Sequence, residues 1–338
     1  MNWQNETVAA DPIFRLPPLR VEAMYTALAE TVDWGLAAYH VPEHWKSTRG
    51  QGVRVAVLDT GLDMSHPDLA GAVDDACDFT DSPRGAADGH GHGTHVAGTI
   101  AARRNEQGVV GVAPECRLLV GKVLGDDGSG TSEQVARGID WAVAAGADIL
   151  SLSLGSPDAS AAIKAAIERA VTAGKFLICA AGNEGRGDAV NYPAKWETTI
   201  AVGAVDRLGQ IARFSSRGPE VDVCAPGCDV LSTFPGGRYA KLSGTSMATP
   251  FVTGVVALML AKHRAAGGAT PIRNNYELRE HLSRTETDAG PIGDDPAYGF
   301  GLINPDSLLG AIAPAPLPVP DAGAVAGVTI FIPHARVL

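Results

Sequence analysis

From residue 53 onward, short and continuously apolar runs alternate with longer segments that have helical periodicity. Residues 53–59 (VRVAVLD) form an apolar run that ends at a carboxylate, which is typical of a strand buried on both faces of a parallel sheet. Residues 132–145 place Val135, Ile139 and Ala142 on one stripe of a helix. This alternation predicts βαβ units in a three-layer α/β fold, a doubly wound and mainly parallel sheet with helices on both faces. The other predicted strands are 117–124, 147–154, 175–182, 198–205 and a segment around 221–223, and the other predicted helices are 92–103, 159–173, 246–264 and 275–283.

Composition divides the chain into three regions. Residues 31–312 carry the alternating pattern and predict one folded domain. Residues 1–30 precede this pattern as an N-terminal extension. Residues 313–338 are rich in Pro and Ala and end in one β-like run, which predicts a tail that is either mobile or adds a strand.

The prolines of the N-terminal extension predict the backbone conformation of part of it. Pro12, Pro17 and Pro18 favour an extended stretch over residues 12–19, because proline restricts its own backbone and that of its predecessor. Residues 20–33 are expected to be weakly helical, since their few apolar residues recur near one helical face.

Charge and cysteine usage narrow the class of protein. A formal net charge of −11 over 338 residues argues against nucleic acid or an anionic membrane as the main partner. No apolar run approaches about 18 residues, so no transmembrane helix is expected.

The N-terminus lacks the basic start and apolar core of a secretory signal, which favours the cytoplasm, or secretion if a signal has been removed. Five scattered cysteines without a C-x-x-C pair predict buried thiols in a reducing compartment.

Three short segments combine residue types suited to nucleophilic catalysis. They are LDTG (58–61), GHGHGTHVAG (89–98) and SGTSMATP (243–250). A serine hydroxyl is a poor nucleophile at neutral pH and needs a neutral imidazole to take its proton. The imidazole in turn needs a carboxylate on its other nitrogen, which fixes the tautomer and stabilises the imidazolium. Asp59, His92 and Ser246 supply these groups, in one of the known chain orders for this geometry.

The longer motifs LDTGLDMSHPDL, HGTHVAGT and SGTSMATP resemble the catalytic motifs of the subtilisin-like serine proteases (subtilases, peptidase family S8), and among these the intracellular subtilisins. The resemblance implies a serine endopeptidase with the triad Asp59, His92 and Ser246, working through an acyl-enzyme. It also implies that Asn183 is the oxyanion-hole residue. The Asn183 side-chain NH₂ and the Ser246 backbone N–H would donate to the oxygen that gains charge in the tetrahedral intermediate.

The same resemblance implies a cleft for extended peptides or unfolded proteins, which would bind as an added strand. The residues expected to pair with the peptide backbone are Gly128, Ser129, Gly130, Ser153, Leu154 and Gly155. The residues expected around the first specificity pocket are Ala180, Ala181, Gly182, Glu184 and Asn191. Small walls predict a broad specificity with an apolar or aromatic preference, and the carboxylate of Glu184 also suits Lys or Arg.

Structural calcium is the cofactor that the resemblance implies, and no organic cofactor is expected. Asp68 and Asn105 match oxygen ligands of a strong calcium site, and Glu30 falls near a third ligand. Glu220 and Asp222 match a weaker cation site. Carboxylate and amide oxygens suit calcium because it is a hard cation. The alternative for all five residues is helix capping and surface charge.

The segment FRLPPL (14–19) loosely resembles the short inhibitory extension of intracellular subtilisins, in which a proline-containing stretch lies across the active site. We therefore expect residues 1 to about 25 to mask the cleft until they are removed, because proline at the scissile position misplaces the bond. The alternative is a disordered leader.

Several functional alternatives stay open on the sequence alone. The same scaffold could serve a dedicated processing peptidase or a peptide cyclase, and a non-catalytic scaffold that binds extended peptides is a third alternative. A second copy of the chain is a further partner, in a homodimer.

Overall fold

The structure is a computed structural model that describes residues 12–16, 20–26, 28–267 and 272–310. The strands are β1 (Ile13–Arg15), β2 (Val21–Tyr25), β3 (Arg54–Asp59), β4 (Val73–Asp78), β5 (Arg117–Lys122), β6 (Ser129–Thr131), β7 (Ile149–Leu152), β8 (Phe176–Ala180), β9 (Ile200–Val205), β10 (Val223–Pro226), β11 (Val230–Phe234) and β12 (Arg238–Leu242). The helices are α1 (Trp34–Ala38), α2 (Val41–His44), α3 (His92–Ala101), α4 (Ser132–Ala144), α5 (Ala161–Thr172), α6 (Thr245–Ala265), α7 (Asn275–Thr285) and α8 (Pro305–Leu308). The predicted tail, residues 313–338, lies outside the described residues and stays a prediction.

A seven-stranded parallel sheet forms the centre of the protein, in the order β10-β9-β8-β7-β3-β5-β4. Strands β7, β8 and β9 are buried along their whole length, which explains why their sequences are continuous apolar runs. Helix α3 packs against α6, and α4 against α5, so that helices cover both faces of the sheet. The predicted three-layer α/β class is confirmed.

The order of the strands brings the segments that follow β3, β7 and β8 together at one edge of the sheet. From β3 the chain first adds strands on the β5 side and later returns to add β7, β8, β9 and β10 on the other side. The sheet therefore has a switch point next to β3, and in such folds ligands bind outside the carboxyl ends of the strands at that point. Asp59 ends β3, and the segments that follow β7 and β8 lie beside it.

Helix α6 is apolar on all sides because it runs through the core. By length and composition alone it could cross a membrane, but 94% of its most apolar window is buried inside the protein. An apolar helix of this kind belongs to the interior of a large domain.

The predicted helix over residues 20–33 is wrong, since residues 28–33 contain no helix and residues 21–25 form the strand β2. It pairs antiparallel with β12 and forms one edge of a three-stranded sheet with β11 and β12. Only Val21, Met24 and Leu28 gave the helical signal, and Val21 and Met24 are exposed at 39% and 43%. A helix there would bury too little apolar surface to be stable, whereas the edge of β12 offers backbone hydrogen-bond partners.

Candidate active site

His92 and Asp59 form a buried carboxylate–imidazole pair. Nδ1 of His92 donates to Oδ1 of Asp59 at 2.8 Å and lies 3.0 Å from Oδ2. Both side chains are nearly inaccessible, at 4% and 1% exposure. The bond holds the proton on Nδ1 and leaves Nε2 as the proton acceptor. Nε2 is buried and has no hydrogen-bond partner among the described residues, so it is available to a reacting group.

Gly91 and Asp88 fix the start of the helix that carries His92. Gly91 is the N-cap of α3 and has a left-handed φ of +103°, a conformation that favours glycine. A Cβ on Gly91 would lie 2.4 Å from the ring of Phe234. The carboxylate of Asp88 supplies the cap that glycine lacks, since it accepts from Gly91 N at 2.8 Å and from Thr94 N at 2.9 Å.

Asp88 also links the segment that carries Asp59 to the segment that carries His92. The sequence motifs did not identify Asp88. Its Oδ1 accepts from Thr60 Oγ1 at 2.9 Å, and Thr60 Oγ1 accepts from Gly93 N at 2.9 Å. Because Thr60 follows Asp59 and Gly93 follows His92, this chain of bonds joins the end of β3 to the first turn of α3. Asp88 therefore positions both members of the pair.

Lys122 supports the end of β3 from the neighbouring strand. Its side chain is fully buried, and its Nζ donates to Thr60 O at 2.5 Å and to Asp126 Oδ1 at 2.7 Å. A buried ammonium is tolerated only when it is paired in this way. The contact holds the backbone directly after Asp59.

Ser246 lies in the first turn of α6 and is tied to the segment after β7 by two reciprocal hydrogen bonds. Ser153 Oγ donates to Ser246 O at 3.1 Å, and Ser246 Oγ donates to Ser153 O at 3.1 Å. The Ser246 carbonyl is free for this role because Pro250, four residues later, has no N–H. In this rotamer the hydroxyl donates to a carbonyl and not to His92, and rotation about χ1 is the movement that redirects it.

Asn183 is oriented as an oxyanion donor by the residue before the serine. Asn183 Oδ1 accepts from Thr245 N and from Thr245 Oγ1, both at 3.0 Å. With its carbonyl held, the amide can only present Nδ2 to the cleft, and Nδ2 makes no hydrogen bond within the described parts of the chain. The predicted role of Asn183 thus has a physical basis in Thr245, which the sequence motifs did not single out.

The two other histidines of the Gly-rich segment have different surroundings. His95 is fully buried, its Nε2 bonds Val230 O at 3.0 Å and Ala240 O at 3.1 Å, and burial lowers its pKa to about 3. It is therefore a neutral packing residue. The His90 ring lies 6.3 Å from the His92 ring, and burial, followed by the charge of His92, lowers the pKa of His90.

The predicted backbone-pairing segments form the two sides of a cleft, and β1 lies between them. Strand β1 pairs antiparallel with β6, and Arg15 N also donates to Gly155 O at 3.3 Å. Leu16 N donates to Gly128 O at 2.9 Å. Successive N–H groups of this segment therefore point to opposite sides of the cleft, as they do in a central strand.

A cavity next to the serine is lined by many of the residues predicted for the site. Of the predicted residues, Ser153, Leu154, Gly155, Ala180, Gly182, Asn183, Glu184, Asn191 and Ser246 line it. Ala181 is fully buried and does not line it. Glu184 Oε1 accepts from Asn191 Nδ2 at 3.0 Å and Oε2 from Ser216 Oγ at 2.5 Å, so both oxygens of this carboxylate are engaged.

The three side chains of the predicted strong calcium site lie together. Asn105 Nδ2 donates to Asp68 Oδ1 at 3.0 Å, and Asn105 N donates to Glu30 Oε2 at 3.0 Å. Asp68 is fully buried. Two carboxylates and one amide have the oxygen chemistry that calcium prefers, so the residue types present fit this ion once the Asn105 amide turns its oxygen, instead of Nδ2, toward Asp68.

The predicted weaker cation site does not fit an ion. Arg279 donates to Asp222 Oδ1 at 2.5 Å and to Oδ2 at 3.2 Å, and Ala201 N donates to Oδ2 at 2.7 Å. The positive charge beside Asp222 is therefore the guanidinium of Arg279, where the sequence predicted a metal ion. Glu220 lies 3.7 Å from the ammonium of Lys195 instead.

The oriented imidazole, the helix-start serine and the amide donor define an acyl-transfer site, and the peptide-binding cleft makes the class that of a serine endopeptidase. Residues 50–301 match a family model described as "Subtilase family". The chain belongs to the subtilase family, and it is a serine endopeptidase.

Curated relatives agree with this assignment. "Subtilisin E" of Bacillus subtilis (strain 168) is 45% identical over 281 residues, which is 82% of this chain and 71% of the relative. "Subtilisin Savinase" of Lederbergia lenta is 43% identical over 280 residues, 82% of this chain and 99% of the relative. "M-protease" of Shouchella clausii (strain KSM-K16) is 43% identical over 287 residues, 85% of this chain and 72% of the relative.

Asp88→Ala is expected to lower kcat by roughly tenfold with little change in KM, because loss of the cap misplaces the His92 ring by a fraction of an ångström. It also leaves buried donors unpaired, which costs about 1–3 kcal/mol of folding free energy. Steady-state kinetics at a temperature well below each variant's Tm measure the first effect. Asp81→Asn is the control, since Asp81 is exposed and its left-handed backbone suits asparagine. An unchanged kcat in Asp88→Ala would contradict the positioning role.

Proposed function

We propose that this protein is an endopeptidase of broad specificity that cuts extended segments of unfolded proteins and is made with its cleft covered by its own residues 12–16. The observation that carries the proposal is the antiparallel pairing of β1 with β6 beside the serine. A bound substrate strand would use the same carbonyls of Gly128 and Gly155. Backbone pairing of this kind reads any extended peptide and is largely blind to sequence.

Side-chain contacts support the proposal that the segment is an inhibitor. Phe14 is fully buried, although its neighbour Ile13 is 50% exposed. The Pro12 carbonyl accepts from Ser132 Oγ at 2.7 Å. In sequence, Pro17 follows Leu16, and a proline next to the reacting bond resists correct placement because its ring fixes φ.

Apolar and aromatic side chains are the proposed first choice of the specificity pocket. The pocket walls include Ala180 and Gly182, which are small. Each oxygen of Glu184 already accepts one hydrogen bond, so Lys or Arg would be a second choice that has to share these acceptors. Cleavage of a peptide library tests this order.

Replacing Phe14 with Glu is expected to raise turnover of a small peptide substrate by at least about tenfold. A buried aromatic ring contributes about 3–5 kcal/mol, and a buried carboxylate without a partner adds a further penalty. The segment would therefore leave the cleft while β2 stays in its sheet. Initial rates on a chromogenic peptide measure the effect.

Ile13→Glu is the matched control, since this neighbouring side chain already faces solvent and its change should leave the rate within about twofold. Equal rates for Phe14→Glu and the unmodified protein would overturn the inhibitory role. That result would leave the peptidase assignment standing, because the rate itself shows activity.

A panel of unrelated unfolded proteins distinguishes the broad peptidase from its alternatives. Cleavage of most of them by Phe14→Glu supports a broad endopeptidase. Cleavage of one at a single site would favour a dedicated processing peptidase, and ligated circular products would favour a cyclase.

We also propose that Asp68, Asn105 and Glu30 hold a structural calcium ion, which would stabilise the loop after α3. The buried carboxylate of Asp68 and its contact with Asn105 support this. A cation whose free concentration is about 100 times its Kd adds about 2.7 kcal/mol to the free energy of unfolding. Excess EGTA is therefore expected to lower the Tm by roughly 5–10 °C, as scanning calorimetry would measure.

Two variants separate the two predicted cation sites. In Asp68→Asn the Tm should no longer respond to EGTA. In Asp222→Asn the Tm should fall but keep its response, because Asp222 binds Arg279. A Tm that ignores EGTA in the unmodified protein would contradict the calcium proposal.

For the compartment we propose the reducing cytoplasm. All five cysteines are free thiols. Burial raises the pKa of Cys116 to about 12, and it also raises the pKa of Cys179, so both stay protonated and unreactive. A homodimer stays a prediction.

A further inference from the structure

A second cavity, of about 440 Å³, lies at the opposite end of the sheet from the catalytic residues. Asp59 and Lys122 are the last residues of β3 and β5, whereas Arg117 is the first residue of β5 and contributes to this cavity. Arg49, Arg103 and Arg104 complete its basic lining, beside one carboxylate, that of Glu115. Four guanidinium groups around one cavity are unusual in a chain whose net charge is −11.

Two of these guanidinium groups converge on one atom. Arg103 Nη2 donates to Gly71 O at 3.1 Å, and Arg117 Nη1 donates to the same oxygen. Sharing one carbonyl oxygen holds two positive charges within a few ångströms of each other, which is unfavourable unless a negative charge is nearby. Burial, followed by the charge of Arg117 among other groups, lowers the pKa of Arg103.

The carboxylates near the cavity do not balance this charge. Asp74 is shared, since it pairs with Arg117 at 2.6 Å and with Arg54 at 3.2 Å. Arg103 donates only to backbone carbonyls, of Pro114 and Gly71, and no carboxylate lies within ion-pair distance of it in the described parts of the chain.

The remaining two arginines each have one carboxylate partner. Glu115 bonds Arg49 at 3.0 Å, with both side chains more than 40% exposed. An exposed pair of this type contributes little and exchanges partners easily. Glu30 lies 3.5 Å from Arg104, but it is partly buried and also accepts from the backbone N–H groups of Asn105 and Glu106.

We propose that this cavity binds an oxyanion of the phosphate type, with Arg103 and Arg117 as its inner donors and Arg49 and Arg104 at its rim. Guanidinium groups recognise the oxygens of phosphate in pairs. Such an anion would supply the missing negative charge and join the backbone at Gly71 to that at Pro114. The ligand is either free phosphate or a phosphorylated residue of another protein, which share this chemistry.

Isothermal titration with inorganic phosphate tests the site, in buffer without added calcium and with chloride holding the ionic strength constant. Saturable binding below roughly 10 mM is expected. Arg103→Gln should weaken it at least about tenfold, because it removes charge-assisted hydrogen bonds. Arg49→Gln removes the contacts of Arg49 with Trp45 O and Glu115 but keeps those of Arg103 and Arg117 with Gly71 O. It should weaken binding about threefold, which keeps the test valid if Arg103→Gln folds poorly.

Arg169→Gln is the matched control, since Arg169 is exposed and pairs with Asp140 on α4. Binding that is absent in the unmodified protein, or equally weakened by Arg169→Gln, would overturn the proposal. A phosphoserine peptide, titrated into the inactive Ser246→Ala protein so that it is not cut, separates the two sources. Affinity at least about tenfold above that of phosphate assigns a phosphorylated protein, and equal affinity assigns the free anion.

Discussion

His92→Ala is expected to lower kcat by about 10⁶-fold, which is the size of the loss known for the corresponding change in subtilisin itself. Without the imidazole, no group in the site can take the proton from Ser246 Oγ. The Asp59 carboxylate cannot replace it, because it lies on the Nδ1 side of the His92 ring, away from Nε2, and it accepts from Thr60 N at 2.7 Å. Single-turnover kinetics on an activated ester would detect the remaining rate. Circular dichroism would show that the fold is kept.

His90→Ala is the control for the large effect of His92→Ala. His90 lies two residues before His92 with its ring 6.3 Å away, but among the described residues it forms no hydrogen bond with Asp59, whose side chain bonds His92 and Thr60. Its removal should change kcat by less than about tenfold, since it takes no part in proton transfer. If both variants lost activity equally, the assignment of the general base would be wrong.

Asn183→Leu is expected to lower kcat by about 10²- to 10³-fold while KM stays nearly constant; this range was also measured in subtilisin. The Nδ2 donor strengthens only when the substrate oxygen gains charge, so its loss affects the transition state more than substrate binding. Leucine is similar in volume and keeps the packing. Steady-state kinetics on a peptide anilide separate kcat from KM.

Thr245→Val provides a graded companion to Asn183→Leu. Valine removes the hydroxyl that bonds Asn183 Oδ1 and keeps the backbone N–H that bonds the same oxygen. One of two orienting bonds is lost, so a loss of roughly tenfold in kcat is expected. An unchanged kcat in Asn183→Leu would contradict the oxyanion role, whatever Thr245→Val does.

The sequence predicted the parts of the site that depend on local chemistry. Alternating apolar runs predicted the parallel sheet, and the motifs around Asp59, His92 and Ser246 predicted which strand and helix ends carry the reacting groups. Asn183 was predicted from its motif alone. These features need no knowledge of long-range contacts, because each motif contains its own turn and helix start.

Contacts between distant parts of the chain were not predictable. Asp88 gives no signal in its own segment, since an Asp before a Gly-rich turn is common, and its role depends on Thr60 in another element. Ser153 and Ser246 are 93 positions apart. The pairing of Asp222 with Arg279 depends on where α7 packs, and the same carboxylate would look like a metal ligand without it.

The prediction for the segment that forms β2 was wrong for a related reason. Its pairing partner, β12, lies more than 200 positions along the chain, so nothing local distinguishes it from a weak helix. Backbone hydrogen bonds with the distant strand β12 therefore determine the structure of this segment, in spite of its weak helical pattern.

The assignment of Ser246 as a nucleophile activated by His92 is tested by intact-mass spectrometry after incubation with a fluorophosphonate, using Phe14→Glu so that the cleft is open. A single adduct on this protein is expected, with none when Ser246→Ala or His92→Ala is added. An equal adduct in the Ser246→Ala protein, or none in Phe14→Glu itself, would contradict it.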